Sequence, residues 1–286
     1  MARQSASIED LTAAALTGVN RALAARQLGP RNPAWPPYIL VGFINIPDGI
    51  DWPWRPTAES GDEQPVPLTV RDHTIVMEAM IQRAVPLLKY LKATRERASS
   101  ISPEEVLETL ERIAASDETR DSIQRASHWL RAYGGSARRL DRSAQAKIKK
   151  VMSQVTEADS VDAKIRVLKS AQQGTADDDV FAVGLRTAAE MLEQGKTTIY
   201  NPDFYGDLLG AGRDGAAVAR EAAGEIAEAD VEGAIGGAIH GGIEGSLAGP
   251  EGAVGGAAIG AVAFGIGGSV GKGVIKLIDW LGSLFD

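Results

Sequence analysis

Gly233, Gly237, Gly241, Gly245 and Gly249 stand at strict four-residue intervals, and Ile235, Ile239, Ile243 and Leu247 keep the same beat two positions later. Half of the chain's 32 glycines lie between Gly233 and Gly273. Glycine costs a solvated helix about 1 kcal/mol relative to alanine, so a helix this rich in glycine does not hold in water alone. Two surroundings offset the cost. In a bilayer the backbone must close its own hydrogen bonds, and faces of small residues let helices approach closely. In a protein interior a second helix fills the groove that the glycines leave. The run Gly249-Pro250-Glu251-Gly252 interrupts the pattern, and a second arm resumes it at Gly252, Gly256 and Gly260, with Val254, Val262, Ile266, Val270, Val274 and Ile278 on the apolar beat. Two such arms around a Gly-Pro break predict a helical hairpin, with a compositional border near Asp230.

The arms differ in polarity. Gly252 to Gly271 carries no charge and matches the roughly 20 residues of a membrane span. The first arm holds Glu232, His240 and Glu244 in one register. A charge at mid-membrane costs roughly 3 kcal/mol, so this stripe needs a water-lined pore, a partner helix, or plain solvent on a soluble amphipathic helix. His240 and Glu244, four residues apart, are a candidate titrating pair. The following KGVIKLIDWLGSLFD places Lys272, Lys276, Asp279 and Ser283 on one face and apolar residues elsewhere. It suits a membrane interface with Trp280 as anchor, or a terminal helix docked on a bundle.

With GxxxGxxxG at Gly233 to Gly249 and again at Gly252 to Gly260, the segment 233–278 resembles the glycine-zipper helical hairpins of membrane-active bacterial proteins, including pore-forming toxins and bacteriocin-like peptides. The resemblance covers about one sixth of the 286 residues. It implies close helix packing through the glycines and, less specifically, pore formation.

The remaining sequence reads mainly as helix. Ile8 to Leu28 is weakly amphipathic and stopped by Gly29-Pro30. Residues 35–54 form a Trp/Pro-rich, β-prone segment, with Tyr38–Ile46 and Ile50–Trp54 around a Pro47-Asp48-Gly49 turn. From Leu68 to Asp230 the period is helical: Val76, Met80, Ala84, Leu87 and Leu91 on one helix with a kink expected at Pro86, then a helix opened by Ser102-Pro103-Glu104-Glu105. Further helices are expected over about 118–134, 137–156, 160–174, 177–195 and 213–229. The expected fold is mainly α: a multi-helix bundle with the β-prone segment and the hairpin. Three units follow: 1–66, 67–230 and 231–286.

Little here carries catalytic chemistry. His73, His128 and His240 stand in no spaced metal motif, and His73 lies five residues before Glu78, which does not put the two together on a helix. His128, beside Trp129, reads as a surface or packing residue. Asp177-Asp178-Asp179 sits where a helix begins, so capping is favoured over metal binding. No phosphate-binding or nucleophile motif appears, and the chain has no cysteine. No enzymatic activity, cofactor, metal or small-molecule substrate is predicted. Arg138, Arg139, Arg142, Lys147, Lys149 and Lys150 form one basic patch, a candidate anion or lipid contact.

A net charge of −8 argues against nucleic-acid binding, and 44% apolar with 24% charged residues is a globular composition. The stretch MARQSASIEDLTAAAL lacks a signal-peptide layout, so synthesis in the cytoplasm without export is expected, with membrane association or release after a trigger. The leading functional expectation is a membrane-perturbing, pore-forming or bacteriocin-like effector that homo-oligomerises and meets a lipid bilayer. The other is a soluble self-assembling protein, a particle, filament or sheath component, whose hairpin packs within or between subunits.

Overall fold

A computed structural model describes residues 66–84, 86–87, 103–134, 142–176, 178–205, 213–246 and 249–271. Among these residues all regular structure is helical. Eight α-helices follow one another: α1 (Val70–Gln82), α2 (Pro103–Arg112), α3 (Asp117–Gly134), α4 (Arg142–Glu157), α5 (Val161–Gln172), α6 (Val180–Gly195), α7 (Arg213–Gly245) and α8 (Pro250–Ser269), with a 3-10 turn at Pro202–Tyr205 before α7. The expected 8–28 helix and the β-prone segment 35–54 lie outside the described residues.

The helix ends follow local chemistry. Thr69 and Asp72 cap α1 reciprocally: Thr69 Oγ1 accepts from the Asp72 N–H, and Asp72 Oδ2 accepts from the Thr69 N–H at 2.9 Å. The helix closes at Gln82, the residue whose carbonyl would need an N–H from Pro86. Arg83 is a turn, and helical backbone resumes at Ala84. Proline opens α2 at Pro103, with Glu104 and Glu105 in the first turn and Arg112 in the last, all complementary to the helix dipole. Ser160 caps α5, and Gly174, at φ +85°, turns the chain after it. Asp179 caps α6 by accepting from the Phe181 N–H at 2.8 Å. Capping is therefore what Asp179 of the acidic run does here, and α6 begins later than the expected Asp177.

α7 and α8 fold back on each other as an antiparallel hairpin, and this is the most extensive helix pair in the structure. α6 lies across both arms, α1 and α3 cover α8, and α4 covers α7. α2 supports α3, while α5 sits between α4 and α6. The hairpin is thus the centre of the bundle. α7 passes through Asp230 without a break, so the compositional border marks a change in what the helix packs against, and the division between 67–230 and 231–286 falls inside a helix.

Polar ties hold the outer helices in place. Asp72 Oδ1 accepts from Ser122 at 2.8 Å and from Arg125 Nη2 at 2.6 Å, which joins α1 to α3. Burial pushes the Asp72 carboxyl up, but the bonds from Arg125, Thr69 and Ser122 outweigh it and leave it below the usual range. Lys164 is buried and donates to the Val155 carbonyl at 2.6 Å and to Glu228 at 3.0 Å. One ammonium group therefore closes the C-terminal end of α4 and links α5 to α7.

Candidate functional site: the glycine seam, its latch and the groove beside it

Along the α7–α8 interface the glycines meet in register. A methyl group added at Gly241 would strike the Gly256 carbonyl, and one added at Gly256 would strike the Gly241 carbonyl. Gly237 and Gly260 block one another in the same reciprocal way. Gly245 abuts the Gly252 carbonyl and Gly233 the Phe264 carbonyl. The four-residue beat thus serves backbone-to-backbone contact over about 18 Å of helix. In such contacts Cα–H groups lie against carbonyl oxygens, each worth about 0.5–1 kcal/mol. Gly249 makes the turn: its φ of +98° is open to glycine, and Pro250 takes the first position of α8.

Of the two surroundings that tolerate such glycines, this structure shows a protein interior. Within the apolar window Gly252–Ser269, 78% is buried. Val254, Val262, Ile266 and Val270 are all core residues. On α7 the Ile stripe begins buried at Ile235 and Ile239 and ends at Ile243, which is 48% exposed. α6 also packs closely on α7: a Cβ on Gly184 would stand 2.9 Å from the Ala238 Cβ and the Ile235 Cα.

Asp230 ties this hairpin to the bundle. Its carboxylate is fully buried, as are His73 and Ser269. His73 Nε2 donates to Oδ1 at 2.8 Å, and the Tyr200 hydroxyl donates to Oδ2 at 2.7 Å. The Ser269 hydroxyl donates to Oδ1. Burial pushes the Tyr200 phenol well above its ordinary range, and the Asp230 carboxylate adds to the shift, so the hydroxyl stays a donor. The four residues come from α1, the turn before the 3-10 segment, α7 and the end of α8. They hold Ser, His and Asp together, but the serine bonds to the carboxylate and not to the imidazole, and no surface reaches them. The arrangement fastens helices; it does not activate a nucleophile.

The sequence pattern did not reveal this cluster. His73 and Asp230 are separated by 157 residues, and Asp230 sat at the compositional border. The one available signal was an aspartate closing an Ala-rich stretch at the core spacing of Ile226 and Ala227.

The polar stripe of α7 divides. Glu232 is exposed, whereas His240 and Glu244 are only 4% and 5% exposed. A solvated face, one of the settings expected for the stripe, holds for Glu232 alone, because the hairpin and its covering helices enclose the other two positions. His240 meets the Phe264 ring of α8 edge-on at 5.5 Å.

Beside this contact runs a groove of about 780 Å³ between α4 and the hairpin. Gly233, Gly236 and Gly237 of α7 and Gly267 and Gly268 of α8 form its floor. Leu130, Ile148, Met152 and Phe264 form its sides, with Glu104, Lys149 and Glu232 also lining it.

The basic patch is split. Arg138 and Arg139 lie outside the described residues. Arg142, Lys147, Lys149 and Lys150 are exposed along α4, but Lys147 turns toward α6, its Nζ 5.6 Å from the Phe181 ring centre. Gln145 and Lys149 line the groove, and Arg142 lies on the same face of α4, three residues before Gln145 at helical spacing. Trp280 also lies outside the described residues. Among the described residues no three His, Asp or Glu side chains converge as a metal site would require.

His128 is half-buried and stacks edge-on with Trp129 at 5.2 Å. Burial, with Arg131 adding, lowers its pKa from 6.5 to about 4. A depressed histidine favours the fold in its neutral form, so its contribution is complete above about pH 6.5 and is lost as pH falls toward 4. Acidification from pH 7.5 to 4.5 should therefore remove roughly 2 kcal/mol through this residue. Urea unfolding of wild type and His128→Asn at both pH values checks this; equal pH dependence in the two proteins would refute it.

No family model, curated protein or solved structure matches the chain.

Proposed function

We propose that this fold is the closed, water-soluble form of a membrane-perturbing protein, in which an amphipathic bundle stores an apolar helical hairpin. The observation that carries the reading is α8: uncharged from Gly252 to Ser269, long enough to span a bilayer, apolar on every side, and wrapped by other helices of the chain.

The seam supports the reading further. Its glycine contacts are made between α7 and α8 alone, so they travel with the hairpin if it leaves the bundle. Insertion of α8 is worth only roughly 2–4 kcal/mol on the biological scale, too little to strip the hairpin from its core unaided. The protein therefore stays closed until a trigger loosens α6, α1 and α3. In the open form His240 and Glu244 face water or a neighbouring copy, and Trp280 anchors the tail at the interface.

The absence of cysteine permits a direct test. A Cβ at Gly242 would stand 2.9 Å from the Val180 Cβ, close enough for Val180→Cys with Gly242→Cys to form a disulfide after a small shift of about 0.6–1 Å. That bond ties α7 to α6. Oxidised protein should leave dye-loaded vesicles intact, and reduction should raise leakage at least tenfold. Equal leakage in both redox states, or none in either between pH 5 and 8, sinks the proposal. Leak-free protein that sediments as a large species would favour the self-assembly reading instead. In the present form such assembly would have to use a surface other than the seam, whose glycine faces are already occupied.

A further inference from the structure

We infer that the groove between α4 and the hairpin takes one acyl chain of an anionic phospholipid, with the phosphate held by Arg142 and Lys149. The inference deepens the membrane reading and rests on it for the source of the lipid.

The floor of the groove decides the chemistry of the occupant. It consists of glycine backbone from two helices, whose N–H and C=O groups are already bonded within those helices. A polar molecule lying along this floor would lose hydrogen bonds to water and gain none from the floor itself; the polar groups Glu104, Gln145, Lys149, Glu232 and His240 also line the groove. A methylene chain loses nothing and gains dispersion contacts along the Cα surface and with Ile148, Met152 and Phe264. The volume of about 780 Å³ falls in the ordinary range of roughly 300–1,000 Å³ for small-molecule sites. Gly236 faces open space, with nothing within 4 Å of an added Cβ.

Charge sets the direction. α4 carries Arg142, Lys147, Lys149 and Lys150 against a single acid, Glu157, in its own sequence. On the facing edges stand Glu104 at the start of α2 and Glu232 on α7, with His240 in the wall. An anionic head is repelled from the glutamates and drawn to Arg142 and Lys149, each basic group near such a surface being worth about 1 kcal/mol. The basic patch and the apolar groove are thus independent features that select the two halves of one amphiphile.

Two variants of the full chain separate the halves. Gly236→Leu fills the groove from a position where an added Cβ meets nothing within 4 Å. Lys149→Glu reverses the charge at its edge, on an exposed site. Gly224→Leu is the control, since a Cβ there also meets nothing and the position is outside the groove. The first measurement is titration with dihexanoyl phosphatidylglycerol below its micellar concentration. The second is cosedimentation with vesicles of phosphatidylcholine, with and without phosphatidylglycerol.

Wild type and Gly224→Leu should bind the soluble lipid and the anionic vesicles, and Gly236→Leu and Lys149→Glu should each lose at least tenfold in both measurements. Binding by Gly236→Leu equal to wild type overturns the inference, as does equal binding to neutral vesicles. No binding of the soluble lipid by wild type also overturns it, as does concentration-dependent self-association that Gly236→Leu abolishes without lipid; a second copy would then fill the groove. Failure here is distinguishable from failure of the membrane reading. Dye release that survives Gly236→Leu removes the groove and keeps the stored hairpin. Groove-dependent binding without any release does the reverse.

Discussion

Gly241→Ala should destabilise the fold by about 2–4 kcal/mol, although alanine is the better helix former by about 1 kcal/mol. The reason is geometric. The new methyl group would occupy the place of the Gly256 carbonyl, and a backbone carbonyl inside a helix cannot rotate aside. The only relief is to move α8 away from α7, which opens the contacts at Gly237 and Gly245 as well. Gly236→Ala, five residues earlier on the same helix, meets nothing within 4 Å and should stabilise by up to about 1 kcal/mol. Urea unfolding midpoints of the two variants should move in opposite directions. A pair of small changes of the same sign would mean that the seam is looser than described.

Asp230→Ala should cost about 3–5 kcal/mol, the usual effect of removing one partner from a buried polar cluster. It strands three buried donors at once: the His73 Nε2–H, the Tyr200 hydroxyl and the Ser269 hydroxyl. Asp230→Asn keeps an oxygen for His73 and Ser269 and sets an amide against Tyr200, so it should fall between wild type and Asp230→Ala. If the hairpin is a stored membrane element, the same order should appear in dye release at neutral pH, with Asp230→Ala the leakiest. A destabilised Asp230→Ala protein that releases no more dye than wild type would separate the latch from membrane action and count against the stored-hairpin reading.

Legibility in the sequence followed the range of the physics. Local rules located the starts at Pro103 and Ser160 and the capping role of the acidic run that ends at Asp179, because a cap is settled within four residues; the Thr69–Asp72 cap was equally local but was not read. The hairpin was legible because its two arms are joined by a short turn, so one periodic pattern contains both sides of the interface. The helical face of Val76, Met80, Ala84 and Leu87 was legible because helical periodicity is itself local, and all four are buried. The latch was not legible, since hydrogen bonding between His73 and Asp230 depends on where the bundle brings α1 against α7. Composition misplaced the weight at Asp230, because a change from Ala/Glu-rich to Gly-rich sequence looks like an end, while the helix only exchanges a neighbour. His240 and Glu244 show the same limit: their shared register was visible, but their burial depends on the helices packed around the hairpin.

The position of the hairpin at the centre of the bundle also sets an order of assembly. The helices that cover it precede it in the chain, so during synthesis α1 to α6 are made before the core against which they pack. Until α7 and α8 follow, those helices have apolar faces with no partner. The hairpin itself can zip locally, through contacts that close short loops and form fast, whereas joining His73 to Asp230 must close a loop of 157 residues. The nascent chain thus passes through a stage with a finished coat and no centre, when unprotected apolar surface invites aggregation and calls for chaperones.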